Sequence, residues 1–406
     1  MPAQPTPPLV STADSRASTP QSMPVPGQDA RRSVKVNTVV NTPYFTPGQF
    51  DRLLARARQN KMPPARWEQG KMLACSFIAA AGAKLGIPQR TIGSAQLLYQ
   101  RFHLFYPPAD FVVHEVALAC LFAASKLNDT PKRIHDLLLT SYALRYPELL
   151  APPSGADSAM DWVAHAHLGE GDVDAESLAQ ERARLLTLER LLLQCICFQF
   201  ELRSTRILRT TVKIARHWQL AKAPSALAWR IACDSHRTPA PLLYPPQAVA
   251  AGCVYAAGVL YEACGEPAEV LRHFASPGAW PSLRTCAADA EDVAYHIFSL
   301  YTAHASSLGE TGRGPLPAYV SYPPPLGLLA WRALRLEKTL PTSPADLDAL
   351  LTQAKIKLRH DEQARAEPER VQRQRAVARA QDALAPTMYR AELLGQQMVA
   401  TRYLLE

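Results

Sequence analysis

The sequence predicts an all-α fold built from two tandem five-helix bundles, flanked by arms that are disordered or helical. Three observations carry this. Apolar residues recur at helical spacings through residues 60–305, with almost no strand-like alternation. Each half contains one segment that is apolar on most sides, set among amphipathic ones, as the central helix of a bundle must be. Nine of the 35 prolines fall in residues 1–47 and seven in 306–345, which marks boundaries at both ends.

The elements follow in order. Residues 1–42 are rich in Pro, Ser, Thr and Gln with few large apolar side chains, so they cannot offset the entropy of ordering and read as a disordered arm. Pro88 opens a helix that lines up Ile92, Ala95, Tyr99 and Phe102. Asp110 to Lys126 is the first central helix, and Asp129-Thr130 caps the next, with Pro131 in its first turn and Ile134, Leu137 and Leu138 inside. A loop rich in Gly, Asp and Ala, Pro152 to Asp174, precedes a long helix carrying Leu178, Leu185, Leu188, Leu192 and Ile196. In the second half, Ser204 starts a helix through Trp218 and Pro224 one through Ile231. Pro246 starts the apolar Gln247–Glu262 helix, and Ala287 to His304 aligns Val293, Ile297, Leu300 and Tyr301. The chain thus divides into the arm 1–42, a helix plus bundle over 43–202, a second bundle over 203–305, a Pro-rich linker with a short helix over 306–345, and a charged helical region over 346–406. Within the last region, Leu347, Leu350, Leu351, Ile356 and Leu358 are the apolar positions; Met388 to Leu405 is amphipathic enough to bind a partner groove or the protein's own surface.

Composition narrows the function. The net charge of +8 is spread thinly, with no run of five or six like charges, which favours a slightly basic surface over a dedicated nucleic-acid site. The N-terminus has no apolar signal region, and the longest uncharged apolar stretch, Ala248 to Tyr261, is shorter than the roughly 20 residues a spanning helix needs, so the chain reads as soluble and intracellular. The eight cysteines contain no C-x-x-C pair and read as buried hydrophobes, not as a zinc site. His165-Ala166-His167 has chelating spacing but no acidic or Cys company; His103, His114, His135 and His296 occupy unrelated helical positions. No phosphate-binding Gly-rich loop and no G-x-S-x-G elbow occurs. The reading is a binding protein with no catalytic residue, no metal and no cofactor.

Two polar residues stand out by context. Lys126 ends the first central helix and Glu189 sits inside Leu188-Glu-Arg-Leu-Leu-Leu-Gln, shortly before Phe198 and Phe200. A charge on an apolar helix is costly unless paired. A Lys–Glu bridge at a helix end, or two snorkelling surface residues, would account for both.

Four segments then make the sequence recognisable. Tyr99-Gln-Arg-Phe-His, Cys120 to Lys132, Leu188 to Leu202 and Asp292 to Tyr301 resemble, in order, the second, central and fifth helices of a cyclin box and the closing helix of transcriptional cyclins. Residues 66–202 resemble the first box and 203–304 the second. The chain resembles the transcriptional branch of the cyclin family, the K, T and L types, and within it the cyclin (beta) subunits of fungal kinases of the RNA polymerase II C-terminal domain. That resemblance implies a nuclear, possibly also cytoplasmic, regulatory subunit that binds and activates a cyclin-dependent kinase catalytic subunit, with room for a third (gamma) subunit and no direct contact with membrane or nucleic acid. It implies that Lys126 and Glu189 pair and hold kinase backbone near the mobile αC helix, while Leu127, Leu193, Phe198 and Phe200 pack on that helix. The alternatives are a DNA-binding factor of the IIB type, which also has two cyclin-like repeats, or a different transcriptional cyclin of the mediator or splicing kind.

Two departures bear on this. The usual Glu-Glu after the central Lys is Asn128-Asp129. Where cell-cycle cyclins carry a Met/Leu/Trp docking patch, this chain has Gly70, Ala74 and Phe77, with Lys71 in place of the motif's Arg, so no docking of that type is expected.

Overall fold

The computed structural model describes residues 39–40, 44–59, 61–146, 168, 173–196, 198, 205–276, 278–308, 323–364 and 399–400. All of them belong to one compact unit, Val39–Glu406. The described residues form fifteen α-helices and a two-residue parallel pairing of Val39–Val40 with Val399–Ala400, so the all-α expectation holds. His165, His167, most of the 152–174 loop, Phe200 and the Met388–Leu405 stretch, apart from Val399–Ala400, lie outside the described residues.

The helices are α1 (Pro47–Arg58), α2 (Pro64–Lys84), α3 (Gln89–Phe102), α4 (Val113–Leu127), α5 (Ile134–Arg145), α6 (Ala175–Cys195), α7 (Thr205–His217), α8 (Lys222–Ser235), α9 (Ala240–Leu243), α10 (Pro246–Glu262), α11 (Glu269–Ala275), α12 (Ala279–Ser282), α13 (Ala287–Leu308), α14 (Leu326–Glu337) and α15 (Pro344–Ala364). Helices α2 to α6 enclose one core around α4, whose residues Val116 to Ser125 are all buried. Helices α7 to α15 share a second core around α10. Small residues along α10 bring α13 close: a Cβ at Gly252 would stand 2.6 Å from Val293 Cβ and 2.7 Å from the Ala290 carbonyl oxygen, so only glycine fits.

Some boundaries differ from the sequence reading. Pro88 is the residue before α3, not its first turn. Residues 110–112 stay out of α4, because Pro108–Asp110 forms a separate 3-10 turn. Asp129-Thr130 does not cap α5, which starts at Ile134 behind Arg133. Asp129 instead sits in the left-handed region (φ 55°), and the Thr130 hydroxyl reaches the Ser125 carbonyl and the Thr91 hydroxyl, tying the end of α4 to α3. Helix α8 begins two residues before Pro224 and runs on to Ser235.

The largest difference is at the C-terminal side. A linker helix and an outlying charged region are expected from sequence, yet both helices pack on the second core. Helix α14 inserts Leu328 and Trp331, and α15 inserts Leu347, Leu351 and Leu358, while Ile356 stays exposed. At the other end, Phe45 is buried in the same core and its N–H donates to the Leu242 carbonyl at 2.8 Å.

The two cores meet along the buried segment Ser235–Thr238. The Gln100 side chain of α3 donates to the His236 carbonyl at 2.7 Å, and the Arg237 guanidinium donates to the Ser76 hydroxyl of α2 at 3.2 Å.

Candidate functional site

The site predicted at Lys126 and Glu189 forms where the C-terminal end of α4 lies against the middle of α6. Helix α6 turns Leu185, Leu188 and Leu192 into the first core, and this places Glu189, one residue from Leu188, at the edge of the buried stripe, only 8% exposed. Lys126 is the last charged residue of α4. Its ammonium pairs with the Glu189 carboxylate and sits 4.1 Å from the Phe122 ring centroid. The two partners differ in access: the Glu189 side chain is 10% exposed and that of Lys126 45%. A buried carboxylate thus depends on a half-exposed cation, and the pair meets solvent through the lysine.

The apolar residues assigned to the site lie close by in sequence, at the end of α4 and at and just beyond the end of α6. Leu127 and Leu193 are half-buried against the first core. Phe198 is 56% exposed, and its N–H donates to the Leu193 carbonyl at 3.0 Å, closing α6 in the 6→1 pattern of a Schellman turn. Its φ of 55° is a region that disfavours a large side chain. The structure joins Lys126 to Glu189 and places Leu127 beside the first on α4, with Leu193 and Phe198 at and just beyond the end of α6; Phe200 lies outside the described residues.

The departures from the cyclin pattern also acquire geometry. Asn128 is buried and turns its amide to the Ala124 carbonyl, so it caps α4 and does not project outward. Ala74 and Phe77 are buried in the first core, and Lys71 is buried and pairs with Glu68 at 2.5 Å. Those α2 positions present no apolar patch.

Sequence reasoning missed two features. Leu186 is 43% exposed on α6, three residues before Glu189 and seven before Leu193, which extends the apolar surface by one turn. The i, i+7 spacing with Leu193 was the available signal. An ion-pair cluster locks the far ends of the same helices: Arg145 forks onto both Glu181 carboxylate oxygens at 3.0 and 3.1 Å and contacts His114 Nε2 at 2.7 Å.

The described residues show no other chemistry to compete with this face. They contain no group of three or more His, Cys, Asp or Glu able to hold a metal ion, and none of their helices is long and apolar enough to cross a membrane. The described cysteines are free and buried, and burial pushes the Cys75 thiol up to about 11, away from nucleophilic reactivity. Burial lowers His103 and His296 to about 4; His103 is packed among Trp67, Tyr99 and Phe102.

No protein-family model matches the chain. Among curated proteins it is 31% identical over 214 residues to the CTD kinase subunit beta of Schizosaccharomyces pombe, covering 52% of this chain and 56% of that protein. It is 27% identical over 216 residues to Cyclin-T1-2 of rice (53% of this chain, 31% of that protein) and 24% identical over 204 residues to Cyclin-K of Danio rerio (50% and 42%). The described architecture matches a chain in the crystal structure of the yeast RNA polymerase II CTD kinase CTDK-1 complex with a TM-score of 0.53 and 20% identity, over 79% of this chain and 92% of that one.

The chain is similar to cyclins of the T and K types and to a CTD kinase subunit beta.

The chain spans about half the length, or less, of the curated relatives it matches. Two of these relatives are named as cyclins of the T and K types and the third as a CTD kinase subunit beta, the types that the four sequence segments resemble. The fold is shared with that chain over 79% of this one.

Proposed function

We propose that this chain is a cyclin, the regulatory subunit of a cyclin-dependent kinase that phosphorylates the C-terminal domain of RNA polymerase II, and that it acts in the nucleus. The observation that carries the reading is the Lys126–Glu189 pair, which meets solvent through Lys126, with Phe198 exposed just beyond the end of α6. A kinase is active when its β3 lysine meets the αC glutamate, so a rigid partner that clamps αC stabilises the active state. The cyclin then contributes differential affinity for that state and no reacting group. Leu127, Leu193, Phe198 and Phe200 form the apolar contact, Glu189 and Lys126 accept from and donate to kinase backbone, and Leu186 widens the surface. A desolvated aromatic anchor beside a polar pair has the anatomy of an interface hot spot. Residues 43–202 hold an N-terminal helix plus the first box and 203–305 the second box, and a third subunit is a further partner. The similarity to a CTD kinase subunit beta supports the choice of kinase class.

The test is co-purification with the cognate kinase and phosphorylation of a C-terminal-domain repeat peptide. Glu189→Ala and Phe198→Ala are expected to abolish both while helical circular dichroism stays unchanged. Normal kinase activation by these variants would remove the assignment of this face.

A further inference from the structure

A cleft of roughly 600 Å³ opens between the two boxes, away from Lys126 and Glu189. It is bounded by α1, α2, the Arg237–Pro239 segment, α13 and the end of α15. Its size falls in the range of ligand sites. Phe50, Leu54, Met72 and Leu300 give it apolar walls.

Its cations are graded by depth. Arg237 is 4% exposed and Lys71 7%, and both line the cleft, with His296 half-buried beside them. Arg237 and Lys71 line the same cleft from opposite cores, Lys71 from α2 and Arg237 from the segment after α8. Arg237 has five N–H donors, and its guanidinium makes one described hydrogen bond, the 3.2 Å contact with Ser76. No carboxylate of the described residues pairs with it. Asp234 feels its charge, but the carboxylate of Asp234 is taken up by the Tyr301 hydroxyl and the N–H groups of Leu326 and Gly327. Burying a guanidinium with most of its donors unused is costly unless something in the cleft meets them.

The acids sit at the mouth. Glu68 is exposed and already paired with Lys71; Asp292 is engaged by Arg359 and by the Tyr244 hydroxyl; Asp51 is exposed. This arrangement repels a polyacidic chain at the rim while leaving donors for one compact anion at the floor.

We propose that the inter-box cleft binds the phosphate of a phosphorylated serine or threonine in a peptide, with Arg237 forking onto two phosphate oxygens and Lys71 meeting the third. The apolar walls receive the flanking side chains. A phosphate monoester supplies three strong acceptors and close to two charges, which matches a fork plus a point charge better than a carboxylate does.

The test uses the full-length cyclin without a kinase. A labelled peptide with one phosphothreonine, its unphosphorylated form, and inorganic phosphate as competitor are titrated by fluorescence polarisation. The phosphorylated peptide is expected to bind about tenfold or more tightly than the unphosphorylated one, as one or two charge-assisted hydrogen bonds provide. Arg237→Met is expected to erase that preference and Arg237→Lys to reduce it. Ser299→Trp, which fills the cleft from α13 without touching the cations, is expected to weaken binding even if Arg237→Met fails to fold. Glu189→Ala should leave peptide binding unchanged, so failure here and failure of the kinase-binding face are separable. Equal binding of the two peptides, or a preference that survives Ser299→Trp, overturns the proposal. Inorganic phosphate that binds as tightly as the peptide overturns the peptide assignment and leaves a free-anion site.

Discussion

The Asp234 carboxylate accepts the backbone N–H of Gly327 at 2.6 Å, joining the end of α8 to the start of α14 across 93 positions of sequence. The same carboxylate takes the Leu326 N–H and the Tyr301 hydroxyl, each at 2.8 Å. It therefore caps α14 from outside the helix, where Pro325 at the N-cap has no side-chain acceptor to offer. Burial raises the Asp234 pKa, partly offset by Arg237 and by these three donors.

Gly327→Ala is expected to destabilise the protein. A Cβ there would collide with the Tyr301 hydroxyl and stand 2.8 Å from Ile231 Cγ1. Overpacking of this kind costs about 1–3 kcal/mol, read as a lower midpoint in urea. Gly70→Ala, inside α2 with nothing within 4 Å of the new Cβ, is the control and should gain about 0.5–1 kcal/mol.

Truncation after Pro341 tests whether α15 belongs to the body. It removes Leu347, Leu351 and Leu358 from the second core and the Arg359–Asp292 pair, which closes at 3.3 Å. The melting temperature should fall by several degrees. Unchanged melting would mean that α15 is an appendage, as its charged sequence suggests. Trp331→Ala should cost more, about 3–5 kcal/mol, since it empties a fully buried site and loses the indole bond to the Leu260 carbonyl at 3.0 Å.

Phe198→Gly separates binding from folding. The exposed ring contributes little to the core, and φ of 55° suits glycine, so stability should hold or rise by about 1 kcal/mol. Kinase co-purification should be lost. A variant that is more stable and still activates the kinase would exclude Phe198 from the interface.

Lys126→Ala and Glu189→Ala should differ in folding. Removing Lys126 leaves a carboxylate of 8% exposure without its ion-pair partner, which destabilises by about 1 kcal/mol or more once the solvent exposure of the lysine is discounted. Removing Glu189 frees a lysine that is 45% exposed and reaches water easily, so its stability cost is smaller. Chemical denaturation of both variants checks the order.

Stability should fall as pH drops from about 6.5 toward 4. Burial lowers His103, His114 and His296 to about 4 and His304 to about 3 in the folded state. Between these values and the ordinary value of 6.5 the unfolded chain binds protons that the folded chain refuses, so the folded state loses ground as protons are added. His103→Phe should flatten part of the slope in a pH series of melts.

The sequence by itself determined the helical class and the apolar central helix of each half, and it singled out Lys126 and Glu189 as charges set among core residues. These are local or pattern properties: α4 and α10 are apolar on most sides, and Lys126 and Glu189 are charges on helices whose other residues are core. The cost of burying a charge makes such residues legible before any coordinates exist. Only the tertiary structure decided what α14 and α15 do. Their apolar positions are few and separated by charges, so periodicity could not tell a docked helix from a solvated one. Asp234 reads as one more helical acid until the fold brings Gly327 to it, and Arg237 as one more surface cation until α2 and α13 close over it. Long-range pairing has no signature in the local pattern, because the partner that satisfies a buried polar group is chosen by the fold and not by its neighbours in the chain.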